Sequence, residues 1–451
     1  MHKKIFCGLF IMLLVFLCSL SFGSVIAVKM QEDTWMSGDA APSWGKAQHL
    51  EMYPFAESYE EYTVRVSQNA GDEAQTPEGK NAAEVLPTAE KKSCWMDRFR
   101  WIEEYTTTDA ILFRSHFFEW GKELDRMTGL SVSASLYAGT DYLQDQKDSI
   151  VRMENGQLGS ALVPRAVDQS MKYIAAFRDA LLDQDADFLL FLTPGKYGSD
   201  GGHPDHSENL KKDFQAAAEA YHISYVDTEE FLKKPGVTDG DLFYNTDHHW
   251  KPSTGIRGVQ ILAEYLNQNL NYQIDTGLYE LDQYDAKLWP DVMLGSYGKK
   301  ASTAYVDPED FILYFPKYDT DLQVNRNGIS VHGSIAETLL DDSKVSKSSL
   351  QDRYGTNLYA AYGYGDQPVI KIHNNLLQDG SNVMMIKTSF ADCMFPYLAA
   401  GVEDLTVVDL RYFGGSLQAL IQEVKPQTVV YVTGLKSFPK THAEGDAFDF
   451  R

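Results

Sequence analysis

Short apolar runs alternate with helical patterns along most of this chain. The run Phe188–Leu192 follows an amphipathic stretch over 169–182 and precedes another over 213–221. Near the C-terminus the run Val383–Lys387 precedes a helical pattern over 390–400. Strands that alternate with helices of about ten to fifteen residues form parallel sheets with covered faces. The chain is therefore predicted to be an α/β protein with a parallel sheet flanked by helices.

The other predicted elements are two helices within 95–129, a short strand turning at Gly139, strands over 223–226, 405–410 and 427–434, and helices over 253–270 and 416–424.

One long segment interrupts this alternation. Residues 283–372 are rich in Tyr, Gly, Ser and Asp and show no helical period. We expect an irregular, β-containing insertion placed between two parts of one sheet.

The N-terminus carries a long uncharged segment. Ile5–Val28 comprises 24 residues without a charge, preceded by Lys3 and Lys4 and followed by Lys29. A membrane-spanning helix needs about 20 apolar residues, whereas the apolar core of a signal peptide has about 7 to 15. We therefore expect residues 1–28 to be a membrane anchor, with a cleaved signal peptide as the alternative. The basic flank places the N-terminus inside, so the rest of the chain is predicted to be extracytoplasmic.

Composition divides the remainder into a linker and a globular part. Residues 29–94 are dominated by Glu, Ala, Gln, Ser and Gly without periodicity, which predicts an acidic linker before a domain over 95–451. The whole chain has 40 Lys and Arg against 64 Asp and Glu, a net charge of −24. Such a field repels phosphate backbones, so nucleic acid is not an expected partner.

The four cysteines offer little chemistry. Cys7 and Cys18 lie in the apolar run, and Cys94 and Cys393 lie in the part predicted to be exported. Those two form either one disulfide or two thiols. No C-x-x-C spacing occurs, which excludes a zinc site built from cysteines.

Three polar clusters follow predicted strands: "TPGK" at 193–196, "DHHW" at 247–250 and "KTSF" at 387–390. Ligands of open α/β sheets gather outside the carboxyl ends of the strands. Ser389 lies where a strand turns into a helix, so its hydroxyl is either a helix N-cap or a nucleophile next to backbone N–H groups.

A serine nucleophile needs a base and an orienting carboxylate. Asp247 and His249 are one residue apart, which lets the carboxylate contact one ring nitrogen while the other faces outward. The side chain of the adjacent His248 is expected to point away from Asp247, into the protein or along the pocket wall. The predicted catalytic residues are Ser389, His249 and Asp247, although histidines before a helix are also commonly structural.

A metal site is the alternative. His203, Asp205 and His206 precede the "DHHW" cluster, and four histidines with two aspartates suffice to bind divalent ions. That arrangement would suit a metal-dependent phosphoesterase. Such enzymes need further aspartate motifs at upstream strand ends, and the sequence has no convincing set. Neither a metal nor another cofactor is expected.

The segment "YNTDHHWKPSTG" resembles the signature of the bacterial DHHW protein family. Together with the later strand-Ser-Phe-helix, it is similar to the SGNH-hydrolase-like domain of alginate O-acetyltransferases, in which Asp-x-His-Trp also precedes the nucleophile. The resemblance extends over about residues 95–434. One departure is visible, because such families place Asp directly before the nucleophile where this chain has Thr388. Further similar segments are "YAGTDYL" near 137–143, "TPGK" at 193–196, "GSYG" at 295–298, "KTSFA" at 387–391 and "VDLRYF" at 408–413.

The resemblance implies an SGNH-hydrolase-like (flavodoxin-like) fold and a reaction class. The expected function is an extracytoplasmic carbohydrate O-acetyltransferase or acetylesterase acting on an exported or cell-surface polysaccharide, with a membrane-bound acyltransferase as a candidate partner. A non-catalytic glycan-binding or scaffold protein of a polysaccharide export system is the alternative that Thr388 encourages. The oxyanion candidates are the Ser389 N–H, Asn374 and Asn375, and the candidate sugar contacts are Arg411, Tyr412 and Lys196.

Overall fold

A large mixed β-sheet forms the centre of the fold. The computed structural model describes residues 149–153, 155–199, 204–326, 328–345, 353–354, 356–440 and 450. Eight strands form this sheet in the order β4-β3-β12-β10-β11-β9-β7-β8, and β1–β2 and β5–β6 form two separate two-stranded sheets. The strands are β1 Ser149–Arg152, β2 Leu158–Ala161, β3 Asp187–Thr193, β4 Tyr225–Asp227, β5 Tyr284–Met293, β6 Glu309–Pro316, β7 Leu322–Arg326, β8 Ile329–Gly333, β9 Val369–Asn374, β10 Asn382–Ile386, β11 Asp404–Val408 and β12 Thr428–Gly434.

Helices of very different lengths connect the strands. The α-helices are α1 Val167–Leu182, α2 Ser207–Ala220, α3 Thr228–Leu232, α4 Asp239–Leu242, α5 Pro252–Asn269, α6 Ser296–Ala301, α7 Ile335–Thr338, α8 Phe395–Leu398 and α9 Leu417–Val424. The 3-10 helices are Thr276–Tyr279, Leu281–Gln283, Asp342–Val345, Leu358–Ala361, Ser389–Cys393 and Leu435–Ser437.

Part of the sheet is parallel and part is antiparallel. β4, β3, β12, β10 and β11 are parallel to one another, in agreement with the α/β prediction. β9 is antiparallel to β11, β7 to β9 and β8 to β7. A connection as short as 327–328 can join only antiparallel strands. The segment predicted to be an irregular insertion thus adds strands to the edge of the sheet, which is mixed rather than purely parallel.

Both faces of the sheet are buried. Along β10, Val383 and Met385 pack into the core that contains α5, whereas Met384 and Ile386 pack into the core that contains α1, α2 and α9. Successive strand residues point to opposite faces, and two covered faces require a continuous apolar run. This is the pattern that the sequence shows in its central strands.

The helix predicted over 390–400 is instead broken into two short pieces. The 3-10 helix Ser389–Cys393 comes first and α8 follows after Met394. Pro396 has no N–H to donate to the carbonyl of Asp392, which favours a break in the helix before this residue. The turn after β10 is therefore tighter than predicted.

Several predictions lie outside the described residues. These are the anchor at 1–28, the linker at 29–94, the two helices within 95–129, the strand at Gly139, and Cys94. Cys393 is a buried free thiol. Among the helices of the described residues, none is both long enough and apolar enough to cross a bilayer.

Candidate active site

Residues 245–250, called here the NTDHHW loop, lie between α4 and α5. Its base is closed by an antiparallel bridge between Phe243 and Trp250. Glu309 on β6 accepts hydrogen bonds from the backbone N–H groups of Asn245 and Thr246, both at 2.6 Å, and from Thr246 Oγ1 at 2.7 Å. A side chain of the insertion therefore fixes the start of the loop.

Lys196 holds the same loop from the other side. Its Nζ donates to the backbone carbonyls of Tyr244 and of Asn245, the latter at 3.1 Å, and the residue is 2% exposed. Burial lowers the pKa of Lys196 to about 8. The prediction that Lys196 contacts a sugar is wrong, because its ammonium group points inward to two carbonyls that would otherwise lack donors.

Asp247, His249 and Ser389 form a continuous hydrogen-bonded line. Asp247 Oδ1 lies 2.6 Å from His249 Nδ1, and His249 Nε2 lies 2.7 Å from Ser389 Oγ. Asp247 also accepts from the backbone N–H groups of His249 at 2.9 Å and of Ser296 at 2.6 Å. Burial opposes ionisation of Asp247, but the two neighbouring histidines hold the pKa of its carboxyl well below its usual range. The three predicted side chains are thus brought together, with an ionised carboxylate at one end and a hydroxyl at the other.

His248 lies against the same carboxylate. Its Nδ1 is 2.8 Å from Ser296 Oγ and 3.1 Å from Asp247 Oδ1, so the expectation that it points away from Asp247 is wrong. The side chain is 30% exposed and its ring centroid lies 3.8 Å from that of His249. Burial lowers the pKa of His248 to about 4, and His249 acts in the same direction. His248 is therefore a neutral side chain on the wall of the site at pH 7.

Ser389 lies at the first position of its 3-10 helix, three residues after the end of β10. Thr388 N donates to Val432 O at 3.1 Å, and Trp250 Nε1 donates to Phe390 O at 2.9 Å. The first N–H groups of a helix have no partner within it. The N–H of Ser389 thus stays an oxyanion candidate.

Asn374 and Asn375 lie at the amino ends of the parallel strands, whereas Ser389 follows the carboxyl end of β10. β9 is antiparallel to β11, and His373 pairs with Asp404 at the start of β11. Asn374 is buried and donates to the carbonyls of Ala399 at 3.0 Å and Ala400 at 3.2 Å. Asn375 pairs through its backbone with Asp321. The prediction that these two asparagines are oxyanion donors is wrong, because the strand before them runs in the reverse direction.

Arg411 and Tyr412 follow β11 and lie at the same edge as Ser389. The Arg411 guanidinium donates to Asp409 at 2.6 and 2.9 Å and to Asp366 at 2.8 Å. The Tyr412 ring is 53% exposed, and its hydroxyl lies 3.4 Å from Asp366. Arg411 is engaged by carboxylates and its guanidinium lies 5.3 Å from the centroid of the Tyr412 ring, which is otherwise exposed.

Sequence reasoning missed Tyr359, which packs directly on the imidazole of His249. The ring centroids are 4.2 Å apart and the planes differ by 14°. The Tyr359 hydroxyl donates to Trp250 O at 3.1 Å and lies 2.9 Å from Cys393 Sγ. The 3-10 helix Leu358–Ala361 carries this tyrosine, and no sequence signal marks it because it comes from the aperiodic insertion. The Ser296 contact has a signal in the sequence, because Ser296 belongs to the "GSYG" segment at 295–298.

The metal alternative has a partial geometric basis. Asp247, His248 and His249 offer ligand atoms within 4.8 Å of one another, as do His373, Glu403 and Asp404 at the opposite edge. His203 lies outside the described residues. Asp205 accepts from Leu162 N at 2.8 Å and from Ser207 Oγ at 2.5 Å, at the start of α2. His249 uses both ring nitrogens for Asp247 and Ser389, an arrangement that suits a base rather than a ligand.

Comparison with known proteins supports the resemblance. Residues 235–408 match the family model described as DHHW protein. This DHHW segment contains the whole NTDHHW loop and Ser389, so the predicted resemblance is confirmed over it. No curated protein matches the chain in sequence.

Solved structures agree on the fold around the DHHW segment. Bacillus cereus PatB1 with a sulfonyl adduct has a TM-score of 0.54 and 20% identity, covering 67% of this chain and 99% of that one. A DHHW family protein from Eubacterium siraeum has a TM-score of 0.51 and 17% identity, covering 67% and 95%. The O-acetyltransferase domain of Pseudomonas putida AlgJ has a TM-score of 0.40 and 13% identity, covering 68% and 100%, a likeness too distant to carry an argument. The first two show a shared fold.

Proposed function

We propose that this chain is an SGNH-hydrolase-like carbohydrate O-acetyltransferase or acetylesterase that acts through Ser389, His249 and Asp247. One observation carries the proposal. The carboxylate, the imidazole and the hydroxyl are joined by contacts of 2.6 and 2.7 Å, with the serine at a strand-to-helix turn. This is the geometry that activates a serine for acyl transfer.

The proposed reaction begins at the hydroxyl of Ser389. Its oxygen attacks the acetyl carbonyl while its proton passes to His249 Nε2, and Asp247 stabilises the imidazolium through Nδ1. The N–H of Ser389 donates to the oxyanion that forms. The imidazolium then protonates the leaving oxygen, and an acetyl ester remains on the serine. Water or a sugar hydroxyl, deprotonated by His249, then attacks this ester. The bond from the acyl carbon to Ser389 Oγ breaks, the imidazolium returns its proton to that oxygen, and acetate or the acetylated sugar leaves.

The proposed acceptor is an extracytoplasmic polysaccharide. The export signal predicted at 1–28 supports this location. The exposed ring of Tyr412 at the edge that carries Ser389 offers a stacking surface for a sugar. A membrane-bound acyltransferase is the proposed source of acetyl groups if the chain works as a transferase.

A second candidate, a metal-dependent phosphoesterase, is supported by the grouping of Asp247, His248 and His249. The two functions differ in what abolishes them. Serine acylation needs Ser389 and tolerates a chelator, whereas a metal enzyme is inactivated by the chelator and tolerates Ser389→Ala.

Hydrolysis of p-nitrophenyl acetate by the full-length chain tests the proposal. Ser389→Ala and His249→Ala are expected to lower kcat/KM by at least about 10²-fold. The matched controls are Ser330→Ala and His332→Ala, which alter a serine on the edge strand β8 and a histidine paired with Asp321 on the surface. Both controls should match the wild type. Full activity of Ser389→Ala, or loss only after chelation, would rule out the serine mechanism.

A further inference from the structure

A buried lysine two residues before the candidate nucleophile binds three carboxylates. Lys387 follows β10, two residues before Ser389, and its side chain is 0% exposed. Its Nζ lies 2.6 Å from Asp392 Oδ1, 2.8 Å from Asp366 Oδ1 and 3.0 Å from Asp409 Oδ2. The reaction proposed above gives none of these four side chains a role.

Arg411 completes this group, called here the Lys387 cluster: Lys387, Arg411, Asp366, Asp392 and Asp409. Arg411 contacts the carboxylates of Asp366 and Asp409. Two cations thus face three anions, and the fully ionised cluster has one negative charge in excess. Lys387 therefore keeps two carboxylate partners if Asp392 is neutralised.

Asp392 is the member of the cluster that belongs to the turn carrying the nucleophile. It lies in the 3-10 helix Ser389–Cys393 and is 4% exposed. Thr388 Oγ1 is buried and has no hydrogen-bond partner among the described residues, so the threonine side chain does not hold this turn. The contact between Lys387 and Asp392 ties the turn to the end of β10.

Burial of Asp392 favours the neutral form of its carboxyl group over the ionised form. Burial raises the pKa of Asp392 to about 6, although Lys387 acts in the opposite direction. A carboxyl with a raised folded-state pKa contributes stability below its ordinary value of 3.8, and this stability is lost as the pH rises through about 6. At pH 7 the charge therefore costs stability, as is common for groups kept for function. The titratable groups that act on Asp392 are Lys387, Asp366, His249, Tyr359 and Cys393.

We propose that Asp392 is a positioning residue whose ion pair with Lys387 holds the Ser389 hydroxyl in line with His249 Nε2. This inference rests on the proposed function, because it concerns the acylation of the same serine. Protonation of Asp392 weakens the ion pair and lets the turn move. A displacement of about 1 Å at a nucleophile can lower a rate about 10²-fold.

The test compares Asp392→Asn with the wild type in the full-length chain. The substitution keeps the shape and removes the charge, and Asp366→Asn is the matched control because it removes a carboxylate from the same lysine outside the turn. At pH 7.5, kcat/KM for p-nitrophenyl acetate should fall about 10- to 100-fold in Asp392→Asn and stay near the wild-type value in Asp366→Asn. The ratio of wild type to Asp392→Asn should fall toward one as the pH is lowered through about 6, because Asp392 becomes protonated. The Tm of Asp392→Asn should be unchanged or higher.

Other results would contradict either the role of Asp392 or the proposed function. Equal kcat/KM for wild type and Asp392→Asn at pH 7.5, or equal losses in both variants, would overturn the inference while leaving the proposed function intact. A Tm that falls together with kcat/KM at every pH would also overturn it, because the role would then be structural. Full activity of Ser389→Ala would instead contradict the proposed function, and this inference with it.

Discussion

The imidazole of His249 makes a different contact on each side. Asp247 is ionised, so the proton of the neutral ring belongs on Nδ1 and Nε2 is left to accept from the Ser389 hydroxyl. Tyr359 covers the face of the ring. The orientation of the base is thus fixed by a charge and by packing.

Gly295 is a residue at which this orientation can be tested. A Cβ at this position would lie 2.6 Å from Asp247 Cγ and closer still to other Asp247 atoms, so Gly295→Ala must displace the carboxylate. We expect kcat/KM for p-nitrophenyl acetate to fall at least about tenfold. Gly414→Ala is the control, because a Cβ there meets nothing within 4 Å. Wild-type activity of Gly295→Ala would show that Asp247 does not orient the base.

His248 should be far less important than His249. It is neutral at neutral pH because its pKa is about 4, and its Nδ1 faces Asp247 and Ser296. We expect His248→Ala to retain kcat/KM within about tenfold of the wild type, whereas His249→Ala loses about 10²- to 10⁴-fold. Both values come from the aryl acetate assay at pH 7.5. Equal losses would mean that the two histidines act as a unit, as metal ligands do.

At the scale of elements, sequence pattern was informative where strands are buried on both faces. β3, β10 and β12 appear as continuous apolar runs, and the residues that follow β10 include Ser389. The insertion gave no such signal, because the residues of β7 to β9 are only partly buried, whereas those of β10 are almost all buried. Strand direction was therefore not predictable there.

The wrong prediction for Asn374 arises because the sequence does not show the direction of β9. Asn374 looked like a residue next to the nucleophile, but it caps carbonyls at the other edge. We expect Asn374→Ala to lower the free energy of unfolding by about 1–3 kcal/mol, since two buried carbonyls lose their donor. Urea denaturation measures this, and kcat/KM should not change. Asn375→Ala, at an exposed position, is the control. A large loss of activity at unchanged stability would restore Asn374 as an oxyanion donor.

At the scale of the whole molecule, the site is assembled from segments far apart in the sequence. The sequence predicts that the NTDHHW loop and Ser389 lie together, and in the structure they are in contact. The loop precedes the helix α5 and Ser389 follows the strand β10, and the sequence pattern shows both elements. The Lys387 cluster was not foreseen, because Asp366 and Asp409 reach Lys387 only through the order of the strands. The sequence does not show that the side chain of Lys196 turns inward, and for this reason its predicted sugar contact is wrong.

The chain has an overall charge of −24, and acidic side chains are also grouped near Ser389. Asp247 and the Lys387 cluster place several carboxylates close to the candidate nucleophile, and three of them, Asp247, Asp392 and Asp409, are almost fully buried. Asp247 is the carboxylate that contacts the imidazole and stabilises the imidazolium formed during acylation, whereas the carboxylates of the Lys387 cluster are paired with Lys387 and Arg411. Protein-wide acidity and the proposed chemistry are therefore compatible.

Covalent labelling of Ser389 tests the central claim most directly. An activated serine reacts with a sulfonyl fluoride to form a sulfonyl ester and release fluoride, and mass spectrometry of the digested full-length chain locates the ester. We expect one sulfonyl group per chain, on the peptide that contains Ser389, and none on that peptide in His249→Ala. Labelling of another residue, or equal labelling of Ser389 with and without His249, would contradict the account.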